Sequence, residues 1–201
     1  MQDRRLFSEA AARNRDPILD VLKSILPPKG RVLEIASGSG EHIVHFASAL
    51  RALTFQPTDP SAEAHDSIAA WVETAGVSNV LPPLQLDATK VPWPVEKADA
   101  IICINMIHIS PWRATERLID GARSILPEGA PLYLYGPFKR DGRDTSSSNA
   151  QFDESLRARN PEWGVRNLEA VIARAERAGF AKPDVFEMPA NNLSLAFYRQ
   201  R

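Results

Sequence analysis

The sequence predicts an α/β protein built on a doubly wound, seven-stranded sheet that ends in a C-terminal antiparallel β-hairpin. Three observations carry this expectation. Short apolar runs alternate with segments whose apolar residues recur at helical spacing, the order of a parallel sheet covered on both faces. The run Ala98-Asp99-Ala100-Ile101-Ile102-Cys103-Ile104 is apolar enough to lie centrally in such a sheet. Near the C-terminus, Val185 to Met188 and Ser194 to Tyr198 alternate as strands do, and Pro189-Ala190-Asn191-Asn192 between them suits a hairpin connection.

The elements follow in order. Ser8 to Leu26 is alanine-rich and then amphipathic; Asp16-Pro17 is a good cap and first-position pair, so one helix is expected from there and a shorter segment before it, with Pro27-Pro28-Lys29-Gly30 as the stop. Arg31 to Ile35 is the first strand, Ala36-Ser37-Gly38-Ser39-Gly40 a tight turn, and Glu41 opens a helix. Leu53 to Pro57 is the second strand, and Thr58-Asp59-Pro60-Ser61 begins the helix that carries Ile68, Trp71 and Val72. The third strand, Val80 to Leu86, contains Pro82-Pro83 and is therefore expected to be short or to start late. After the fourth strand, Asn105-Met106-Ile107-His108-Ile109 leads to Ser110-Pro111, which caps a helix with Trp112, Thr115, Leu118, Ile119, Ala122 and Ile125 at helical spacing. Leu132 to Tyr135 is the fifth strand, and Gly136-Pro137-Phe138 is expected to turn out of it. Residues 139–164 break the alternation with charge, Ser, Asn and Gly, and part of them, around Phe152 to Arg159, is read as helical. This stretch is taken as a lid or substrate wall within a single domain spanning residues 1–201. A last helix runs through Leu168, Val171, Ile172 and Ala175 and ends at Gly179.

A chain of 201 residues suffices for one well-buried domain and is short for two. Its net charge of -1 offers no electrostatic footprint for nucleic acid. No apolar run approaches the roughly 20 residues that span a bilayer, and Met1-Gln2-Asp3-Arg4-Arg5 is not followed by a signal-peptide core, so neither nucleic acid nor membrane is expected as a partner and a cytoplasmic location is the default. The single cysteine, Cys103, reads as a buried small hydrophobe. His42 and His45 lack a third ligand in sequence reach, so no metal site is expected.

In open α/β sheets the ligand lies beyond the carboxyl ends of the strands. The residues there are Glu34, Ser37, Gly38 and Gly40 after the first strand, Asp59 after the second, Asp87 after the third, Asn105 and His108 after the fourth, and Tyr135 to Phe138 after the fifth. Glycines after a strand let a ligand approach the backbone, and the following helix offers unpaired N–H groups. A dinucleotide fingerprint would require glycine where Ile43 stands, and a phosphate-cradling loop would require lysine where Glu41 stands. A glutamate there repels pyrophosphate but tolerates a ligand carrying a sulfonium and an ammonium.

The run Glu34-Ile35-Ala36-Ser37-Gly38-Ser39-Gly40 resembles the first motif of class I S-adenosylmethionine-dependent methyltransferases, with Ala36 in place of the commoner glycine. The resemblance implies a Rossmann-like class I methyltransferase fold, S-adenosyl-L-methionine as cofactor and S-adenosyl-L-homocysteine as product. It further implies that Glu34, Ala36, Ser37, Gly38, Gly40 and Asn105 contact the cofactor, that Asp59 binds ribose, and that Asp87 with Ala88 reads adenine. More segments, Ser8 to Pro17, Asn105 to Trp112, Tyr135 to Phe138, Ser148-Asn149 to Asp153, Trp163-Gly164 and Met188 to Leu195, make nearly the whole chain resemble the methyltransferase-like 26 family, a family of unknown function. That narrower resemblance supplies no substrate.

The expected chemistry is in-line methyl transfer to a small polar molecule. His108 is assigned as base or substrate contact, since its ordinary pKa of about 6.5 suits proton removal at neutral pH. Asn149, Phe152, Trp163 and Arg166 are assigned to the substrate wall. Two rivals stand beside this reading: a catalytically silent cofactor-binding regulator or scaffold, and a nicotinamide-dependent oxidoreductase, which the missing third glycine and the lack of a Tyr-Lys or His pairing disfavour.

Overall fold

The alternating pattern resolves into six helices and eight strands in a computed structural model that describes residues 3–201; Met1 and Gln2, where the expected domain begins, lie outside the described residues. The helices are α1 (Glu9–Ile25), α2 (Glu41–Ala49), α3 (Ala62–Ala75), α4 (Trp112–Ile125), α5 (Ser147–Arg159) and α6 (Leu168–Arg177). The strands are β1 (Gly30–Ile35), β2 (Leu53–Asp59), β3 (Leu84–Gln85), β4 (Ala100–Ile104), β5 (Pro131–Lys139), β6 (Arg166–Asn167), β7 (Asp184–Met188) and β8 (Asn192–Tyr198). Seven strands pair in the order β3-β2-β1-β4-β5-β8-β7, and the two-residue β6 is attached to the end of β5. β8 runs antiparallel to both β5 and β7, so the expected C-terminal hairpin is present.

Neighbouring residues of a strand face opposite ways. β4 therefore sends Ile101 and Cys103 into one core and Ala100, Ile102 and Ile104 into another. α4 and α6 close the first core with Leu118, Ile119, Val171 and Ala175, while α1 and α2 close the second with Ile18, Leu22, Ile43 and Phe46. Each such aliphatic or aromatic side chain contributes about 1.5–3 kcal/mol on burial. The apolar runs of the sequence are thus central strands because both of their faces are covered. Among the described residues, no helix is long and apolar enough to cross a membrane.

The chain steps outward from β1 through β2 to β3 and then returns to lay β4 on the other side of β1. Strand order reverses between β1 and β4, which leaves a crevice beyond their carboxyl ends.

Three local expectations are corrected. α1 is one continuous helix through Pro17, because Ser8 caps it by accepting from the Ala11 N–H and the alanines that follow are strong helix formers; Pro17 removes only one N–H from the ladder. Ser110 does not cap α4, for its hydroxyl turns back to the Met106 carbonyl at 2.7 Å. Gly136-Pro137 does not end the fifth strand, since pairing passes from β8, through Pro137 and Asn192, to β6, through Phe138 and Arg166. The third strand is short and late, as its prolines foretold, with only a bridge between Phe55 and Val80 ahead of them.

Residues 139–164 contain α5, longer than the helix expected there, and one buried carboxylate fastens it. Asp153 Oδ2 accepts from Lys139 Nζ at 2.8 Å and from Arg157 Nε at 3.1 Å, and its Oδ1 accepts from the Val165 N–H at 2.7 Å. Burial opposes ionisation of Asp153, but these hydrogen bonds outweigh it and hold the carboxyl below its usual range. The stability it contributes is present above the unfolded-state pKa of about 4 and is lost as pH falls through the depressed folded value. Urea unfolding of Asp153→Asn at pH 7 is expected to show a loss of about 2–3 kcal/mol, with the gap to wild type closing as the solution is acidified below that range.

Candidate active site

The turn after β1 needs a left-handed backbone at Ala36 (φ 59), Gly38 (φ 55) and Gly40 (φ 89). At Gly40 a Cβ would stand 2.8 Å from the Ile68 Cα on α3, so the position demands glycine for space as well as for conformation. At Gly38 a Cβ would meet nothing within 4 Å, so that face of the turn is open to a ligand.

The turn is stitched to the end of β2. The Ser37 N–H donates to the Thr58 carbonyl at 2.8 Å, and the Thr58 hydroxyl donates to the Glu34 carbonyl at 2.7 Å. Asp59 Oδ2 accepts from the Gly38 N–H at 3.0 Å, and Oδ1 from the Ser61 N–H at 2.9 Å. Glu34 lies beneath, 2% exposed, with its Oε2 buried and without a hydrogen-bond partner. Burial pushes its pKa up to about 8; Ser37 favours the ionised form and the nearby Asp59 charge disfavours it.

A second layer, absent from the sequence reading, ties the N-terminal segment to this turn. Glu41 faces inward: its Oε2 accepts from the Ser8 N–H at 2.6 Å and from the Ser39 hydroxyl at 2.9 Å. The Ser67 hydroxyl donates to the Ser39 carbonyl at 2.6 Å and accepts from the Leu6 N–H at 2.8 Å, while Trp71 Nε1 donates to the Leu6 carbonyl at 2.9 Å.

At the neighbouring edge Asp87 accepts from the Thr89 N–H at 2.9 Å and hydroxyl at 2.7 Å. The hydroxyl is the main reason its pKa is lowered, and it leaves Asp87 two residues beyond Gln85, the partner of Asp59 across β2 and β3, with Ala88 buried beside it.

A cavity of about 720 Å³ opens between α1, the ends of β4 and β5, α5 and the β7–β8 turn. Asn105, at φ 61, lies on its floor with Tyr135, while Asn149 and Phe152 come from α5. Asn149 Nδ2 donates to Thr145 Oγ1 at 2.9 Å and to the Asn191 carbonyl at 3.0 Å, which docks α5 onto the hairpin turn. From α1, Asn14 takes a hydrogen bond from His42 Nε2 at 2.7 Å and lines the cavity beside Tyr135. Burial pushes His42 down to about 4, so it is neutral and serves to orient Asn14. Tyr135, which the sequence placed at a strand end without a role, and Asn14, whose only signal was its place in a segment that shared the narrower resemblance, line the cavity.

Of the residues assigned to catalysis or the substrate wall, three do not line this cavity, and of those assigned to the cofactor only Asn105 does. His108 is fully buried below it, edge-on to Phe138 with ring centroids 5.0 Å apart. Its Nδ1 accepts from the Arg166 N–H at 3.2 Å, which places the ring proton on Nε2, and that atom has no hydrogen-bond partner. Burial and the Arg166 charge push its pKa down to about 3, opposed only by Asp153, so the ring is neutral and its free nitrogen is already used. Arg166 is turned away to hold the carbonyls of Ile107, at 2.8 Å, Ser110 and Glu162, at 3.0 Å, and its guanidinium stacks over Trp112. Trp163 lies outside the cavity under the guanidinium of Arg159. His108 and Arg166 brace the loop after β4.

The fold is similar to that of solved methyltransferase structures. An O-methyltransferase family protein from Burkholderia thailandensis aligns over 96% of this chain and 58% of that one, with a TM-score of 0.81 at 18% identity. A putative O-methyltransferase from Nostoc punctiforme aligns over 94% and 56%, with a TM-score of 0.82 at 17% identity. Human N-acetylserotonin methyltransferase, solved in complex with S-adenosylmethionine, aligns over 96% and 53%, with a TM-score of 0.79 at 13% identity. The chain spans little more than half the length of these proteins, and at such identities the likeness is one of fold. By a match over residues 5–199, the chain belongs to the family described as "Protein of unknown function (DUF938)".

Proposed function

We propose that the chain binds S-adenosyl-L-methionine at the ends of β1, β2 and β3 and transfers its methyl group to a small polar molecule, leaving S-adenosyl-L-homocysteine. The observation that carries this reading is the Asp59 carboxylate, locked against the Gly38 and Ser61 amides. Each oxygen serves one N–H and keeps a further acceptor site, which suits the two hydroxyls of a ribose. The residues fit the cofactor in two further respects: the open face at Gly38 admits a ligand against the backbone, and the partnerless Glu34 Oε2 offers a carboxyl to a cationic group. Asp87 and Ala88 are proposed to read adenine, Ala36, Ser37, Gly40 and Asn105 to shape the same seat, and residues 139–164 to act as the substrate wall through Asn149 and Phe152. The methyltransferase-like 26 resemblance and a cytoplasmic location belong to the same reading, with no nucleic acid or membrane partner.

When bound, the cofactor supplies a methyl carbon activated by its sulfonium. The chain's own residues then have three tasks: Asp59 and the glycine turn fix the nucleoside, Asn105 and Tyr135 form the floor on which the acceptor rests, and α1 with α5 limits the entry of water. No Asp, Glu or His lines the cavity, so the proton given up by an acceptor passes to solvent. His108 acts as a brace for the loop carrying Asn105. Its burial is also the observation that favours the second reading, a silent cofactor-binding protein. Incubation of a metabolite extract with a labelled methyl donor separates the two, since only the first yields labelled product that is lost in Asp59→Ala.

Two outcomes are expected in calorimetry. Asp59→Ala lowers affinity for S-adenosyl-L-homocysteine by at least about tenfold, the worth of one charge-assisted hydrogen bond; affinity equal to wild type contradicts ribose binding there. Glu34, with a folded pKa of about 8, is mostly protonated at pH 7, and a cation beside it favours the carboxylate. Binding of S-adenosyl-L-methionine at pH 7 therefore releases a proton, measured by comparing buffers of different ionisation enthalpy, and the affinity rises with pH until about 8. Glu34→Gln abolishes the release.

A further inference from the structure

We propose that the methyl acceptor is a small organic anion with an apolar body, anchored by Arg13 and Arg159; this rests on the methyltransferase reading above. The cavity between α1 and α5 is lined by two cationic side chains, Arg13 and Arg159, and by no acidic one. Arg159, the last residue of α5, stacks on Trp163 at 5.6 Å and forms no ion pair among the described residues. Arg13 meets only Glu9, at 3.4 Å, in a surface pair whose glutamate is 94% exposed. Such a pair is worth little and yields readily to a better-placed anion. Both arginines line the cavity from exposed positions, and a cavity with two cationic and no acidic lining side chains draws and orients an anion.

The remaining wall defines the rest of the molecule. Phe152, Ile109 and Pro137 present apolar surface, which suits a hydrocarbon or aromatic body between the anchor and the floor. Asn149 has spent its amide hydrogens on Thr145 and Asn191, so it offers only an acceptor, and Tyr135 offers its hydroxyl. The anion sits on Arg13 and Arg159 while the acceptor atom faces Asn105 and Tyr135. In the transfer, the lone pair of the acceptor forms a bond to the methyl carbon, the carbon–sulfur bond breaks with its pair left on sulfur, and the acceptor's proton goes to water. The lack of a lining base matches such a substrate, which needs positioning more than deprotonation.

The test is a panel of carboxylic acids, each matched with its primary amide, over aliphatic and aromatic bodies. Binding is read by ligand-observed NMR on the full chain, with and without S-adenosyl-L-homocysteine, and turnover by labelled methyl transfer. Acids are expected to bind at least about tenfold tighter than their amides, and Arg13→Gln and Arg159→Gln each to weaken the acids about tenfold while affinity for S-adenosyl-L-homocysteine is unchanged. Amides binding as well as acids, a preference for amines, no bound acid at all, or acid binding insensitive to both substitutions overturns the proposal. Acids that bind in an arginine-dependent way to a protein that takes up no S-adenosyl-L-homocysteine overturn the methyltransferase reading and leave the anion site standing.

Discussion

The bond between the Asp59 carboxylate and the Gly38 amide sets the geometry on which the rest of this edge of the sheet depends. β1 and β2 pair in parallel up to Ile35 and Thr58, after which the backbone of β1 would have no partner. Thr58 and Asp59 continue the pairing by other means, one through its carbonyl and hydroxyl, the other through its carboxylate. The turn is thereby held in left-handed conformations that cost about 1 kcal/mol or more at the non-glycine Ala36. The same carboxylate orients the start of α3 through Ser61, and α3 in turn leaves no room for a side chain at Gly40. Glu41, Ser67 and Trp71 extend the lattice to residues 6–8, so the turn is fixed from below and from the side while Gly38 stays open.

Polarity is distributed unevenly around that turn. Glu34 is an acid kept largely neutral by burial, and His108 is a base kept neutral by burial; each has one buried atom without a partner. They differ in access. Glu34 lies behind an open glycine, where a cation can reach its field, whereas His108 is packed between Phe138 and Gly136, where an added Cβ would strike its ring. The cavity beside them carries arginine and no acid, whereas Asp59 and Asp87 stand at the strand ends, so the site sets carboxylates at the sheet edge against cationic side chains toward solvent.

Much of this was legible from the sequence, because the strands are short apolar runs with few alternatives and the glycine turn has its own residue pattern. The strand ends were likewise readable: once β1, β2 and β3 are placed, topology alone puts Glu34, Gly38, Asp59 and Asp87 on one edge. What was not legible depends on tertiary pairing. Gly136-Pro137 reads as a turn until β6 and β8 supply partners, and Pro17 reads as a helix start until Ser8 is seen to cap α1 eight residues before α1 would otherwise begin. His108 and Arg166 carry polar groups suited to a site, and only the burial of the one and the bonds of the other to the 107–110 segment reveal them as bracing, while Trp163 is taken up by the Arg159 guanidinium. Asn14 and Tyr135 meet through a helix and a strand more than a hundred residues apart, a proximity that no local spacing encodes.

The most direct test of the nucleoside seat is an amide NMR titration of the full chain with S-adenosyl-L-homocysteine. The account predicts that the largest shifts fall on Gly38, Ser39, Gly40, Asp59 and Ala88. Saturable shifts centred elsewhere, or none at these amides at millimolar ligand, would contradict it.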